Sequence, residues 1–314
     1  MNTIKQKLRV AVVGLGSWGQ KIVKTIQQEL PDATLTHIVT SNKTMQKQYM
    51  QQCEVLSNWL EVIPKKNEFD CLVAALPPNL NLKLAEDLLP HGIPIFFEKP
   101  LEINYANASK ILSLAEQFES IVQVNHIDLY NPAIQEIRSR LKGKKIEVDA
   151  TIGAAYPTRD VIRPLWEYSP HFIAASMELA DSAPVKLEAR QLPIPKELQD
   201  NEEREVVELS ILFENGSLAR IIAGNGILKK SRKMTVKSNK DSYVFEDRAT
   251  IALSKNGNEI VVDSQLPLAL SLKHFIDKVR NNDTSLTEFK SGVKVIKLLE
   301  IADQSLANNR KIAL

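Results

Sequence analysis

The stretch "LRVAVVGLGSWG", Leu8 to Gly19, constrains the fold more than any other part of the chain. A short, mostly apolar run of this kind reads as a strand buried on both faces. It leads directly into Gly14-Leu15-Gly16-Ser17-Trp18-Gly19. Apolar residues then recur at Ile22, Val23, Ile26 and Leu30, the spacing of one helix face, and Pro31 stops the pattern. A buried strand, a glycine turn and an amphipathic helix form the context in which GxGxxG binds a dinucleotide. Gly14 permits the tight turn, Gly16 lets a pyrophosphate approach the backbone, and Gly19 lets helix pack on strand. Ser17 and Trp18 open the helix, whose positive end faces the phosphates.

The alternation continues. Strands are expected at 34–40, 54–56, 70–76, 93–99 and 121–126, with helical patterns between them, in units of about 25 residues. That is a parallel, doubly wound sheet. Near residue 125 the pattern changes to strands joined by hairpin-like turns, two of them, "ENGS" and "KNGN", carrying the Asn-Gly signal. One helix is expected around 170–180, and a long, broken helix closes the chain. The fold class is α/β: an N-terminal doubly wound Rossmann domain over 1–122, then an α+β domain with an open, mostly antiparallel sheet over 123–314.

In such a sheet, ligands lie across the carboxyl ends of the strands. The second strand ends in Thr40-Ser41-Asn42-Lys43, with no acid to hold a ribose 2′-hydroxyl. Hydroxyls, an amide and a cation suit a 2′-phosphate, so NADP is expected in preference to NAD. The fourth strand runs into Leu76, Pro77, Pro78 and Asn79, and the fifth into Glu98 and Lys99. All of these join the cofactor edge, with Lys99 nearer the nicotinamide than the adenine.

Composition excludes several classes. Forty basic against thirty-eight acidic residues give a net charge of +2 and no case for nucleic acid. The cluster Lys229-Lys230-Ser231-Arg232-Lys233 reads as a solvated loop. Cys53 and Cys71 lack metal-ligand or disulfide spacing, and no metal centre is expected. No apolar run approaches 18 residues, so no membrane span is expected. The short apolar N-terminal run has no cleavage pattern, so a cytoplasmic protein is expected.

Together, the GxGxxG, the Pro77-Pro78 turn, Glu98-Lys99-Pro100 and the antiparallel second half resemble the Gfo/Idh/MocA family of oxidoreductases. The likeness extends through "VNHIDLYNPAIQEI", "ENGSLARI", "LKHFIDKVRNND" and "NNRKIAL". The resemblance implies a homo-oligomeric NAD(P)-dependent dehydrogenase or reductase acting on a hydroxyl or carbonyl of a sugar-like molecule. An apolar face of the second sheet would mark the subunit interface. Lys99 would contact the substrate hydroxyl and the nicotinamide ribose, and Glu98 would help hold the cofactor. Glu167 and His171 occupy the places of the family's acid and histidine. Trp166, Pro170 and His171 form a W-x-x-x-P-H similar to members acting on nucleotide-linked sugars. The sequence departs from the family pattern at Leu76, Asn81, Asn125, Glu167 and Ala174. Two other readings stay open: an NADPH-dependent reductase of a C=N or conjugated substrate, and a non-catalytic nucleotide-sensing protein.

Lys99, His171 and Glu167 are therefore the candidate catalytic residues. Ser169-Pro170 reads as an N-cap and first helical residue, which would put His171 in a first turn, where the helix field favours a neutral ring. His126, Tyr130, Arg159, Arg163 and Trp166 are candidate substrate contacts. His37, His91 and His274 are assigned no role.

Overall fold

The computed structural model describes residues 6–157, 162–199, 203–247, 249–250 and 252–314. Arg159, a candidate substrate contact, lies outside them. The chain divides into two compact units, Met1–Asn125 with Leu266–Val293, and His126–Gln265 with Lys294–Leu314. Each unit is thus built from two stretches of chain, whereas the sequence reading placed one boundary after residue 122.

In the first unit, among the described residues, six strands form one parallel sheet: β1 (Leu8–Val13), β2 (Ala33–Val39), β3 (Glu54–Leu56), β4 (Cys71–Ala74), β5 (Ile95–Phe97) and β6 (Val122–Val124). Their order is β3-β2-β1-β4-β5-β6. Order reverses between β1 and β4, and that crevice is the ligand position in sheets of this kind. The helices α1 (Ser17–Glu29), α2 (Lys43–Tyr49), α3 (Asn81–Leu88) and α4 (Tyr105–Gln117) are the crossovers. The stretch expected as a helix after β3 is instead a 3-10 turn at Trp59–Lys65, with Pro64 inside it and a capping box between Asn58 and Glu61.

The core of this unit packs Ile22, Val23 and Ile26 of α1 against Val10 and Val12 of β1. It also includes residues far along the chain. Phe275, in α7 (Pro267–Arg280), meets the Phe96 ring at 5.4 Å between centroids. Phe289, in α8 (Thr287–Asn308), meets Phe97 at 6.2 Å.

The second unit begins with α5 (Pro132–Leu141), β7 (Glu147–Gly153) and α6 (Pro164–Ala180). The strands β8 (Pro184–Gln191), β9 (Val206–Phe213), β10 (Leu218–Gly224), β11 (Ser231–Ser238), β12 (Asp241–Glu246), β13 (Leu253–Lys255), β14 (Asn258–Glu259) and β15 (Ile312–Ala313) complete it. With β7 they make a sheet of order β14-β13-β12-β11-β7-β10-β9-β8-β15 among the described residues. Only the β7–β10 pairing within it is parallel. At "KNGN" Asn256 and Gly257 both take positive φ, as a tight hairpin requires. At "ENGS" only Gly216 does.

Two expectations change here. The basic cluster is not a loop throughout: Ser231, Arg232 and Lys233 begin β11. The outward face of β8–β10 is not apolar, because it carries the ion pair Arg190–Glu208 at 2.9 Å, and Arg220 there pairs with Asp149 at 3.2 Å. No helix of the described residues is long and apolar enough to cross a membrane.

Candidate active site

The glycine turn is sterically determined. Gly14 has φ +89°, and a Cβ there would fall 2.4 Å from the Ala75 carbonyl oxygen. A Cβ on Gly19 would fall 2.0 Å from the Gly14 carbonyl oxygen. Neither neighbour can yield, since both are backbone. A Cβ on Gly16 would meet nothing within 4 Å, so the turn is closed behind and open in front. Gly16 is also the N-cap of α1, and no side chain caps that helix. Its first N–H groups and its positive end therefore remain for an anion. The residues present fit the pyrophosphate of a dinucleotide. Ser17 is exposed at the first helical position, and Trp18 is half-buried against the core.

At the end of β2, the Asn42 side-chain oxygen accepts from the N–H groups of Thr44 and Met45, at 2.9 and 3.2 Å, and so caps α2. The Thr40 hydroxyl accepts from the Asn42 N–H at 3.2 Å. Ser41 and Lys43 are exposed beside them. Beyond β4, Leu76 is half-buried near Gly14, and Pro77 and Asn79 are exposed in a short 3-10 turn. Asn81, buried behind that turn, donates to the Leu101 carbonyl at 2.8 Å and ties it to the chain after Lys99.

Glu98 is buried. Burial pushes its carboxyl above the usual range, against the opposing pull of Asn125, the nearby Trp18 indole and the Lys99 charge. Asn125 Nδ2 donates to Glu98 Oε1 at 2.6 Å, and Asn125 Oδ1 accepts from the Ser271 hydroxyl at 2.9 Å. Gln123 donates to the same hydroxyl at 3.2 Å. One Glu98 oxygen is thus fixed by an amide network, while the other accepts from the Lys99 backbone N–H at 3.3 Å. Lys99 is half-buried, and the Lys99–Pro100 peptide is cis.

The second unit supplies a different cluster. Helix α6 begins at Pro164, with Arg163 at the N-cap, and not at Ser169-Pro170. His171 therefore lies mid-helix, and the helix field does not set its state. The reason is non-local: Glu205, some forty residues away, accepts from the Leu165 N–H at 2.8 Å and satisfies the new helix end. Ser169 turns its hydroxyl back to the Leu165 carbonyl at 2.6 Å, as a mid-helix serine does.

His171 Nδ1 lies 2.8 Å from Asp128 Oδ2. Arg232 Nη2 donates to both Asp128 oxygens, at 2.7 and 2.6 Å. Asp128 is 1% exposed. Burial alone would raise its pKa, but the Arg232 charge and the His171 contact outweigh burial and hold it well below the usual carboxylate range. An ionised carboxylate can only accept, so Nδ1 carries a proton, and in the neutral ring Nε2 is the nitrogen with the lone pair. Neither Asp128 nor Arg232 was among the sequence candidates. Asp128 stood in view in "NHIDLY", two residues after His126, and Arg232 was hidden in a basic run.

Glu167 sits in the first turn of α6, four residues before His171 and on the same helix face. Arg163 and Trp166 are engaged internally. Arg163 pairs with Glu205 and, at 2.7 Å, with Asp303, while the Trp166 indole donates to Asp303 at 2.8 Å. His126 is buried and Tyr130 half-buried in the turn that also carries Asp128.

Comparison with known proteins agrees with the fold. Residues 8–126 match the model of the family described as "Oxidoreductase family, NAD-binding Rossmann fold", GFO_IDH_MocA. UDP-N-acetylglucosamine 3-dehydrogenase of Acidithiobacillus ferrooxidans is 21% identical over 170 residues, 54% of this chain and 53% of that protein. A second curated relative, from Amycolatopsis mediterranei, is 25% identical over 134 residues, 43% of this chain and 37% of its own length. The matched stretches thus span about half or less of these relatives. Two solved structures share the fold over nearly the whole chain. The aldose-aldose oxidoreductase of Caulobacter crescentus has a TM-score of 0.83 at 15% identity, covering 98% of this chain and 100% of that one. A structure of the Acidithiobacillus dehydrogenase has a TM-score of 0.84 at 15% identity, covering 96% and 98%. The family match falls on the residues that build the glycine turn and the Glu98-Lys99 strand end, so the first part of this chain, residues 8–126, matches the NAD-binding Rossmann fold of the Gfo/Idh/MocA oxidoreductases.

Proposed function

We propose that the chain transfers a hydride between a nicotinamide dinucleotide and a hydroxyl-bearing carbon of a nucleotide-linked sugar or a closely similar polyhydroxylated molecule. The observation that carries this reading is His171, held at Nδ1 by a buried, ionised Asp128, which leaves Nε2 of the neutral ring as the base of the reaction in this reading. Oxidising a carbinol requires a base for the hydroxyl proton, and reducing a carbonyl requires the matching acid. When bound, the dinucleotide supplies the hydride acceptor or donor. Asp128 holds the ring and Arg232 compensates the Asp128 charge, the orienting logic of a catalytic triad. Glu167, on the same helix face, assists by binding substrate hydroxyls. The curated relative whose name specifies UDP-N-acetylglucosamine supports the nucleotide-linked class.

Turnover across a panel of UDP-sugars, free aldoses and inositols, with NADP and NAD, tests the reading. At least one UDP-sugar should turn over faster than every unlinked polyol. A preference for unlinked polyols would overturn the nucleotide-linked assignment.

Lys99 contacts the substrate hydroxyl and the nicotinamide ribose in this reading. Lys99→Ala should then cut kcat by about 100-fold or more, with the dinucleotide Kd nearly unchanged by calorimetry. Undiminished turnover would remove Lys99 from the chemistry.

NADP is the preferred dinucleotide, because the end of β2 offers the exposed Ser41 and Lys43 and no carboxylate. A charge-assisted contact contributes about 1.5–3 kcal/mol. Lys43→Glu should therefore weaken NADP binding by about tenfold to a hundredfold while NAD binding changes little. An equal loss for both would place the 2′-phosphate elsewhere.

A further inference from the structure

We propose that His37, Glu54 and Glu68 form a binding site for a zinc-class divalent transition-metal ion in the first unit, clamping β2, β3 and the segment leading into β4. His37 and Glu54 are register partners across β2 and β3, and Glu68 precedes Phe69, whose ring meets the His37 ring edge-on at 5.5 Å. The His37 side chain is 3% exposed. Its Nδ1 lies 3.0 Å from the Thr36 hydroxyl oxygen, and that hydroxyl donates to the Val10 carbonyl at 3.4 Å. The hydroxyl proton is thereby occupied, so Nδ1–H is the donor, and in the neutral ring Nε2 carries the lone pair.

That lone pair faces two carboxylates. Nε2 lies 3.3 Å from Glu54 Oε2 and 3.5 Å from Glu68 Oε2. Both are ion-pair distances, yet Nε2 makes no hydrogen bond to either oxygen or to any other described residue. Two oxygens straddling a ring nitrogen are disposed as ligands around a shared cation. The three ligand atoms all lie within 4.8 Å of one another. Tetrahedral Zn²⁺ with bonds of about 2.0–2.2 Å needs ligand-to-ligand edges of roughly 3.3–3.6 Å, which the two nitrogen–oxygen distances match. An imidazole nitrogen in the set favours Zn²⁺, Ni²⁺ or Cu²⁺ over Ca²⁺ or Mg²⁺.

Lys65 completes the arrangement from outside. Its ammonium takes the other oxygens, Glu54 Oε1 at 2.8 Å and Glu68 Oε1 at 3.6 Å. It holds both carboxylates in place and leaves Oε2 of each turned toward His37, as outer partners of metal ligands do. The two carboxylates are 40% and 52% exposed, so an ion reaches the site from solvent.

The test uses the full chain, stripped with chelator and titrated with Zn²⁺ alone, without dinucleotide, by calorimetry and thermal melting. One ion per chain should bind saturably and raise Tm by a few degrees. Glu68→Gln, at a half-exposed position that folding tolerates, should weaken binding by about tenfold or more, and His37→Gln should abolish it. Absence of binding would overturn the proposal. Binding indifferent to both substitutions would overturn it equally, by placing the ion elsewhere.

Discussion

His171→Asn should lower kcat by about 100- to 10,000-fold, the usual contribution of a positioned acid or base, while leaving Tm and dinucleotide affinity close to wild type. Asp128→Asn should match that loss although Asp128 is buried, because an amide no longer fixes the proton on Nδ1. The two substitutions should not multiply, since they disable one device. Asp128→Asn should also destabilise the protein, by about 3–5 kcal/mol, because the Arg232 charge loses its buried partner. Chemical denaturation separates that cost from the kinetic one. The pH dependence has a definite sign. Asp128 is held below its unfolded-state value of about 3.9, so its stabilising contribution is complete above about pH 5 and is lost as pH falls through the lower native value. Wild type should show that acid-side loss, and Asp128→Asn should lack it. A His171→Asn enzyme with full turnover would leave the dyad a structural feature of α6.

The second large effect belongs to Gly19. Gly19→Ala should weaken dinucleotide binding by about tenfold to a hundredfold. The added Cβ would sit 2.0 Å from the Gly14 carbonyl oxygen, where real contacts never fall. Either α1 moves off β1 or the glycine turn opens, and forced shifts of this kind cost about 1–3 kcal/mol. Gly16→Ala is the informative control. Its Cβ meets no protein atom within 4 Å, so it should leave Tm unchanged and still weaken the dinucleotide. If Gly16→Ala bound dinucleotide as wild type does, the pyrophosphate would not approach that residue.

These contrasts show which parts of the chain were legible in its sequence. The first sheet was, because each βα unit is local: apolar strand, turn and helix follow one another within about 25 residues, and periodicity reports them directly. Strand ends then located Gly14, Thr40, Leu76 and Glu98 on one edge without any knowledge of contacts. The candidate cluster of the second unit was half legible. His171 was a candidate through its motif, but its environment was misread, since the start of α6 is met by Glu205, just before β9, and not by Ser169 beside it. Asp128 and Arg232 are 104 residues apart, and nothing in the spacing of either points to the other. Glu98 shows the same limit. Its partner Asn125 lies 27 residues away and is itself held by Ser271 of α7, a helix that local patterning assigned to the other half of the protein. The cluster at His37, Glu54 and Glu68 was invisible for a related reason, because its spacings of 17 and 14 residues are those of a parallel sheet folding back on itself and match no ligand motif.

The most direct test of hydride transfer is isotopic. UDP-sugars and free polyols carrying deuterium at each carbinol carbon in turn are incubated with the protein and oxidised NADP or NAD, and the recovered nicotinamide is read by mass spectrometry. The account predicts deuterium on the nicotinamide from one carbon of one substrate class, and a strongly diminished rate of that transfer in His171→Asn. Turnover that releases the label to water, or a nicotinamide that stays unlabelled across the whole panel, would contradict it.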